Sequence, residues 1–265
     1  MKKAIKLAGA ALLTLAMGTV HASGIGDTGV NTYWGSDGHG YGDVIGASTF
    51  DIQGATITRV GTVLTISIDT NFAGHAGIDS NITSKGIGYG DVFLNNTWNA
   101  AGSTANHYAT DDSTTGTVWN YGLSLDNRYS NKGGTFTLYQ LNGTSNAQNI
   151  LNSEEVMNCT SCVYRDGQET EVDTASKTVK NTGLTGTWTV AANDSLTFKI
   201  DLSGSELLNW SSFAMHWGET CQNDVLEGIA TGVYKVPLPG SFALLALGLG
   251  VLGLSRRRTV RPRAA

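Results

Sequence analysis

Apolar and polar residues alternate with a period of two in four stretches of this chain. Leu64, Ile66 and Ile68 alternate with Thr65, Ser67 and Asp69, and Leu196, Phe198, Ile200 and Leu202 alternate with Thr197, Lys199 and Asp201. Trp119, Tyr121, Leu123 and Leu125 alternate with Asn120, Gly122, Ser124 and Asp126, while Phe213, Met215 and Trp217 alternate with Ala214 and His216. Successive side chains of a strand point to opposite faces, so each stretch predicts an antiparallel strand with one buried and one wet face. On this pattern His216 lies opposite Met215 and Trp217, on the wet face. Helical periodicity is nearly absent between the two ends, and only Ser205 to Trp210 suggests a short helical turn.

Between these runs stand clusters that suit turns, among them Ser36-Asp37-Gly38-His39-Gly40, Asn131-Lys132-Gly133-Gly134, Asn142-Gly143 and Arg165-Asp166-Gly167. Gly and Asn tolerate positive φ, which is why they mark strand reversals. Glycine supplies 34 of 265 residues and no proline precedes Pro237, which fits many tight turns better than disorder. One hexapeptide recurs: Gly40-Tyr41-Gly42-Asp43-Val44-Ile45 returns as Gly88-Tyr89-Gly90-Asp91-Val92-Phe93. Two copies are too few for a solenoid. The expected fold is all-β, an antiparallel β-sandwich of jelly-roll type, in a single domain over residues 23–235.

The two ends follow a different rule. Residues 1–22 run from Lys2, Lys3 and Lys6 through an apolar stretch, Leu7 to Met17, to Val20-His21-Ala22. That is the layout of a secretory signal peptide, with the mature chain starting near Ser23. A helix spanning a bilayer needs about 20 apolar residues, so the stretch is too short for a permanent anchor. At the far end Val236-Pro237-Leu238-Pro239 precedes an apolar run from Phe242 to Leu254, followed by Arg256, Arg257 and Arg258. A helix rises about 1.5 Å per residue, so Leu238 to Ser255 reaches about 27 Å, enough for a marginal single span. Arginines directly after a span hold that side in the cytoplasm. Residues 236–258 therefore read as a transmembrane tail and 259–265 as a basic cytoplasmic end.

Setting the ends aside changes the charge balance. All 22 acidic residues lie between Asp27 and Glu227, whereas residues 23–235 hold only nine of the 17 basic ones, giving this segment a net charge of −13 against −5 for the whole chain. Such a surface repels nucleic acid and favours solubility or bound cations.

Candidate chemistry in the body is sparse. Asp43 and Asp91 occupy equivalent places in the repeat, with Asp37 nearby, and carboxylates beside flexible glycines suit calcium; no full ligand series accompanies them, and turn capping is the competing role. Cys159 and Cys162 are spaced C-x-x-C, with Cys221 far along the chain. In an oxidising compartment Cys221 pairs with Cys159 or Cys162, or the two near cysteines pair with each other; either choice leaves one over. Zinc held by the three cysteines and His216 is a further option. Glu219 with Glu227, or Glu154 with Glu155, supply the two carboxylates a glycosidase requires, and Trp34, Trp98, Trp119, Trp188, Trp210 and Trp217 are candidate sugar platforms. There is no Gly-x-Ser-x-Gly elbow to present a nucleophile.

The Pro-x-Pro turn, the short Gly- and Leu-rich span and the terminal arginines together resemble the sorting tail of PEP-CTERM proteins, with Leu238 where that family usually has Glu. Short segments of the body, Thr70-Asn71-Phe72-Ala73-Gly74, Gly88-Tyr89-Gly90-Asp91 and Phe213 to Gly228, are similar to exosortase-dependent surface proteins. The resemblance implies export through the Sec translocon and signal peptidase, passage through the inner membrane, processing of the tail by an exosortase, and delivery to the cell surface or the extracellular polysaccharide matrix. It brings no catalytic residues and no cofactor. The expected body is non-catalytic, and the alternative is a carbohydrate-binding module or glycoside hydrolase at the cell surface.

Overall fold

Twelve strands and one short helix are arranged in chain order in the computed structural model, which describes residues 22–27, 44–79, 83–101, 112–158 and 165–233. The predicted signal helix apart from Ala22, and the predicted sorting helix with Val236, Pro237, Leu238, Pro239, Arg256, Arg257 and Arg258, lie outside the described residues.

The strands are β1 (Ala22–Gly26), β2 (Ile52–Val60), β3 (Val63–Thr70), β4 (Val92–Asn95), β5 (Tyr121–Leu125), β6 (Gly133–Leu141), β7 (Ile150–Asn152), β8 (Glu169–Val172), β9 (Val179–Ala191), β10 (Ser195–Asp201), β11 (Ser212–Gly218) and β12 (Val225–Thr231). Ten of them form one sheet in the order β1-β2-β3-β10-β9-β6-β5-β4-β11-β12, and β7 pairs with β8 as a separate hairpin. Every strand pairing is antiparallel. The all-β antiparallel expectation holds, but hydrogen bonding runs unbroken through all ten strands rather than dividing into two sheets. The sheet rolls until β1 lies against β12, where a Cβ on Gly228 would come within 2.6 Å of Ile25 Cγ2.

The period-two runs account for the roll's interior. Leu64, Ile66 and Ile68 of β3 meet Ile200, Phe198 and Leu196 of β10 in register, and all six are buried. They share one core with Leu123, Leu125, Phe136, Leu138, Trp188, Phe213, Met215 and Trp217. At about 1.5–3 kcal/mol for each fully buried large apolar side chain, this face dominates the stability of the fold. The alternation begins at Tyr121 and not at Trp119: Trp119 precedes β5 and belongs to a second apolar cluster on the other side of the sheet.

That second cluster is Phe93, Trp119, Leu141, Ile150, Val172 and Ala214. It exists because β7, β8 and α1 (Ser153–Met157) form an extra layer over the outer face of β4, β5 and β11. Gly122 of β5 lets this layer approach, since a Cβ there would stand 2.4 Å from Val172 Cγ2. The helix is only five residues long and is held at its start by a capping box, in which Asn152 accepts from Glu155 N–H and Glu155 accepts from Asn152 N–H. Glu154 and Glu155 are both exposed, so this pair forms a helix start and not a facing pair of carboxylates.

Candidate functional site

The covered outer face carries the densest polar constellation among the described residues. His216 of β11 stands opposite Glu227 of β12, and β8 lays Glu169 over both. The Nε2 of His216 lies 2.8 Å from the Glu169 carbonyl oxygen, and Nδ1 lies 3.4 Å from Glu227 Oε2 and 4.0 Å from Glu169 Oε2. Trp98 Nε1–H donates to Glu227 Oε1 at 2.6 Å, and the Asn146 amide donates to Glu169 Oε1 at 2.6 Å. The Gln222 amide adds a second bond to the Glu169 carbonyl at 2.9 Å. The rings of Phe93 and Trp119 each stand 6.0 Å from the imidazole.

Burial sets the protonation of this group. His216 is fully buried and Glu169 is 1% exposed. Loss of hydration raises the Glu169 carboxyl to about 7, with the charge of Glu227 adding to the rise and His216 opposing it. Burial works against the imidazolium, but the bond to Glu227 and the charges of Glu169 and Glu227 outweigh it, so His216 is raised. Both shifts favour the protonated forms of Glu169 and His216 within this buried layer. The wet-face expectation for His216 is thus corrected: β11 buries both faces, because the layer of β7, α1 and β8 reaches the face that local alternation marks as wet.

Beside this layer the second copy of the repeat is locked to the β11–β12 turn. Gly90 N–H donates to the Gly218 carbonyl, Gly88 N–H to Thr220 Oγ1, and Thr220 N–H to the Gly88 carbonyl. A Cβ on Gly90 would approach Gly218 O to 2.3 Å, so this glycine is required by the contact. Asp91 is 1% exposed and its oxygens are occupied by protein donors. Oδ1 accepts from Leu125 N–H at 3.0 Å and Arg128 Nη2 at 3.1 Å, and Oδ2 accepts from Val172 N–H at 2.8 Å. Arg128 also donates to the Tyr89 carbonyl and pairs with Glu171 at 2.9 Å. The candidate calcium ligand Asp91 is therefore a clamp tying β5 to β8, while Asp37 and Asp43 lie outside the described residues. Among the described residues no group of three or more His, Cys, Asp or Glu is arranged to hold a metal ion.

Glu219, in the turn after β11, is fully buried and paired through its backbone bridge with Tyr89. Loss of hydration pushes its carboxyl up to about 8, against the pull of nearby backbone N–H groups of Glu219 and Asp224. Glu219 and Glu227 do not face a common cleft: both are buried, and the indole of Trp98 caps Glu227. Cys221 is a free, buried thiol whose ionisation burial opposes, while Cys159 and Cys162 lie outside the described residues. A zinc role for His216 has no room either, since its ring nitrogens face the Glu169 carbonyl and Glu227.

The tryptophans divide in the same way. Trp119, Trp188 and Trp217 are interior residues and not platforms; Trp188 stacks on Phe198 with centroids 6.2 Å apart, and Trp217 donates to the Gly90 carbonyl. Trp98 and Trp210 are half-buried, and Trp34 lies outside the described residues. Sequence reasoning missed Glu169, Asn146 and Arg128. With nine cations against 22 acids in the body, each arginine was a candidate partner for a buried carboxylate, and that signal points to Arg128. No protein-family model, no curated protein and no solved structure matches this chain.

Proposed function

We propose that this chain is the precursor of an exported bacterial surface protein, sorted through its C-terminal tail by an exosortase-type enzyme, with a non-catalytic acidic β body. The observation that carries the reading is the pair of ends: a basic, apolar and small-residue sequence closing at Ala22, and Pro237-Leu238-Pro239 followed by an apolar run and three arginines. The sealed Glu169–His216–Glu227 layer supports the non-catalytic part, since a general acid or base needs substrate within hydrogen-bond reach. The body is delivered to the cell surface or the polysaccharide matrix, after passage through the Sec translocon and transient residence of the tail in the inner membrane.

Intact mass of the protein recovered from its own cells tests this reading. A species running from about Ser23 to about Pro239, found outside the inner membrane, is the expected result. A species that retains Arg256 to Arg258 overturns the sorting step, and a species that retains Lys2 to Lys6 overturns export.

A further inference from the structure

One end of the roll is closed by the connection between β10 and β11. Its 3-10 turn, Glu206–Asn209, starts at a Ser205 cap and buries Leu207 completely. Arg59, an inward residue at the end of β2, donates to the Leu207 and Leu208 carbonyls at 3.2 and 3.1 Å, and Tyr121 O–H donates to Glu206 Oε1 at 2.7 Å. Between this plug and the rims of β5, β6 and β9 run two adjoining depressions of about 520 and 390 Å³, which share Tyr121, Gln140 and Glu206. Ligand clefts fall in the range of about 300–1,000 Å³ and often occupy the mouths of rolled sheets.

The rim breaks the rule that governs the core. Along β6 the inward positions are Phe136 and Leu138, and the next is Gln140, aligned across the sheet with Tyr121 on one side and Lys180 on the other. An aromatic, an amide and an ammonium thus stand abreast where another apolar layer would have extended the core. Next to them β9 bulges: the register slips between Thr137 and Tyr139, Gly183 takes a φ of +79°, and Thr182 and Leu184 face the groove. Bulges of this kind re-aim side chains beside binding sites. Trp210 stands 5.7 Å from Tyr121, edge to face, and lines the groove with Asn120. The amides of Asn120 and Gln140 and the Trp210 indole make no hydrogen bond among the described residues.

We propose that this groove binds an uncharged oligosaccharide segment. Planar amides both donate and accept, which matches vicinal hydroxyls, and the indole offers an apolar face with an N–H at its edge. Glu206 and Lys180 cancel in charge across the groove, while the −13 body disfavours an anionic polymer. Among the described residues that line the groove Glu206 is the one carboxylate, and cutting a glycosidic bond takes a facing pair, so the groove binds without hydrolysis. This inference is independent of how the chain is exported or sorted.

The test is calorimetry on the full chain in a detergent without a sugar headgroup, titrated with cello-, xylo- and manno-oligosaccharides of four to six units. Binding of at least one series is expected, weakened about tenfold or more by Gln140→Ala and by Glu206→Gln, whose melting temperatures verify folding; Trp210→Ala abolishes it. No binding of any series overturns the proposal, as does binding that both Gln140→Ala and Glu206→Gln leave unchanged. Release of reducing sugar overturns the non-hydrolytic part.

Discussion

β10 and β11 are both seven residues long and lie in the same sheet, yet they are built on different rules. In β10 the side chains alternate, with Leu196, Phe198 and Ile200 inward and Lys199 and Asp201 exposed. In β11 every residue after Ser212 is buried, because the β7–β8 hairpin and Trp119 cover its outer face. The open half rests chiefly on apolar burial, with Arg59 its buried charge. The covered half adds a buried polar layer in which, among the described residues, Glu169 Oε2, both Glu219 carboxyl oxygens and Gln222 Oε1 have no hydrogen-bond partner, and each buried group left without one costs about 1–3 kcal/mol. The difference teaches that a strand's own pattern reports the face it shares with the core, while its other face is decided by distant chain.

The contrast is broken most strongly at Asp91. Asp91→Ala removes partners from two backbone N–H groups and leaves Arg128, 7% exposed, with Glu171 as its remaining carboxylate; a loss of about 3–5 kcal/mol is expected from the denaturant midpoint. A loss below about 1 kcal/mol would mean that the outer layer is not coupled to the sheet.

Acidity separates the halves next. The Glu169 and Glu219 carboxyls are raised in the folded state to about 7 and about 8, so the folded chain holds protons that the unfolded chain releases near pH 4.5. Their contribution is complete below that value and is lost as pH rises through 7 to 8, and the raised His216 acts in the same direction. Stability should therefore fall by about 3 kcal/mol or more between pH 5 and pH 9, and Glu219→Gln should flatten the slope. A profile that rises over this interval would contradict the burial of these carboxyls.

The smallest effect is expected on the open face. Lys199→Ala, between two buried neighbours of β10 but itself exposed, should shift stability by less than about 0.5 kcal/mol. A larger loss would reveal a cover over this half as well.

How far the chain could be read follows the same divide. β3, β10 and most of β5 were legible because each has one dry and one wet face, and the Ser205–Trp210 turn because its serine cap precedes a buried leucine. The register of Phe213, Met215 and Trp217 was legible, but the burial of His216 was not, since its cover comes from β7 and β8. Glu169-Thr170-Glu171-Val172 has no apolar alternation to announce a buried strand; only pairing with Ile150 and Leu151 makes it one. Trp119 extended an alternating run by one step in sequence, yet in space it crosses to the other cluster. The rim groove left only a faint mark, a glutamine where the alternation of β6 calls for an apolar residue.

The meeting of β1 with β12 has a consequence for behaviour at high local concentration. An open ten-stranded sheet offers two free ladders on which another copy can add a strand, the usual route to filaments. Here the outer margin of each end strand turns toward the other, and the missing side chain at Gly228 lets Ile25 close the gap. The two end strands of the ten-stranded sheet are thus set against each other before a second copy arrives, which disfavours templated strand addition at those edges, as does the net charge of −13 on residues 23–235.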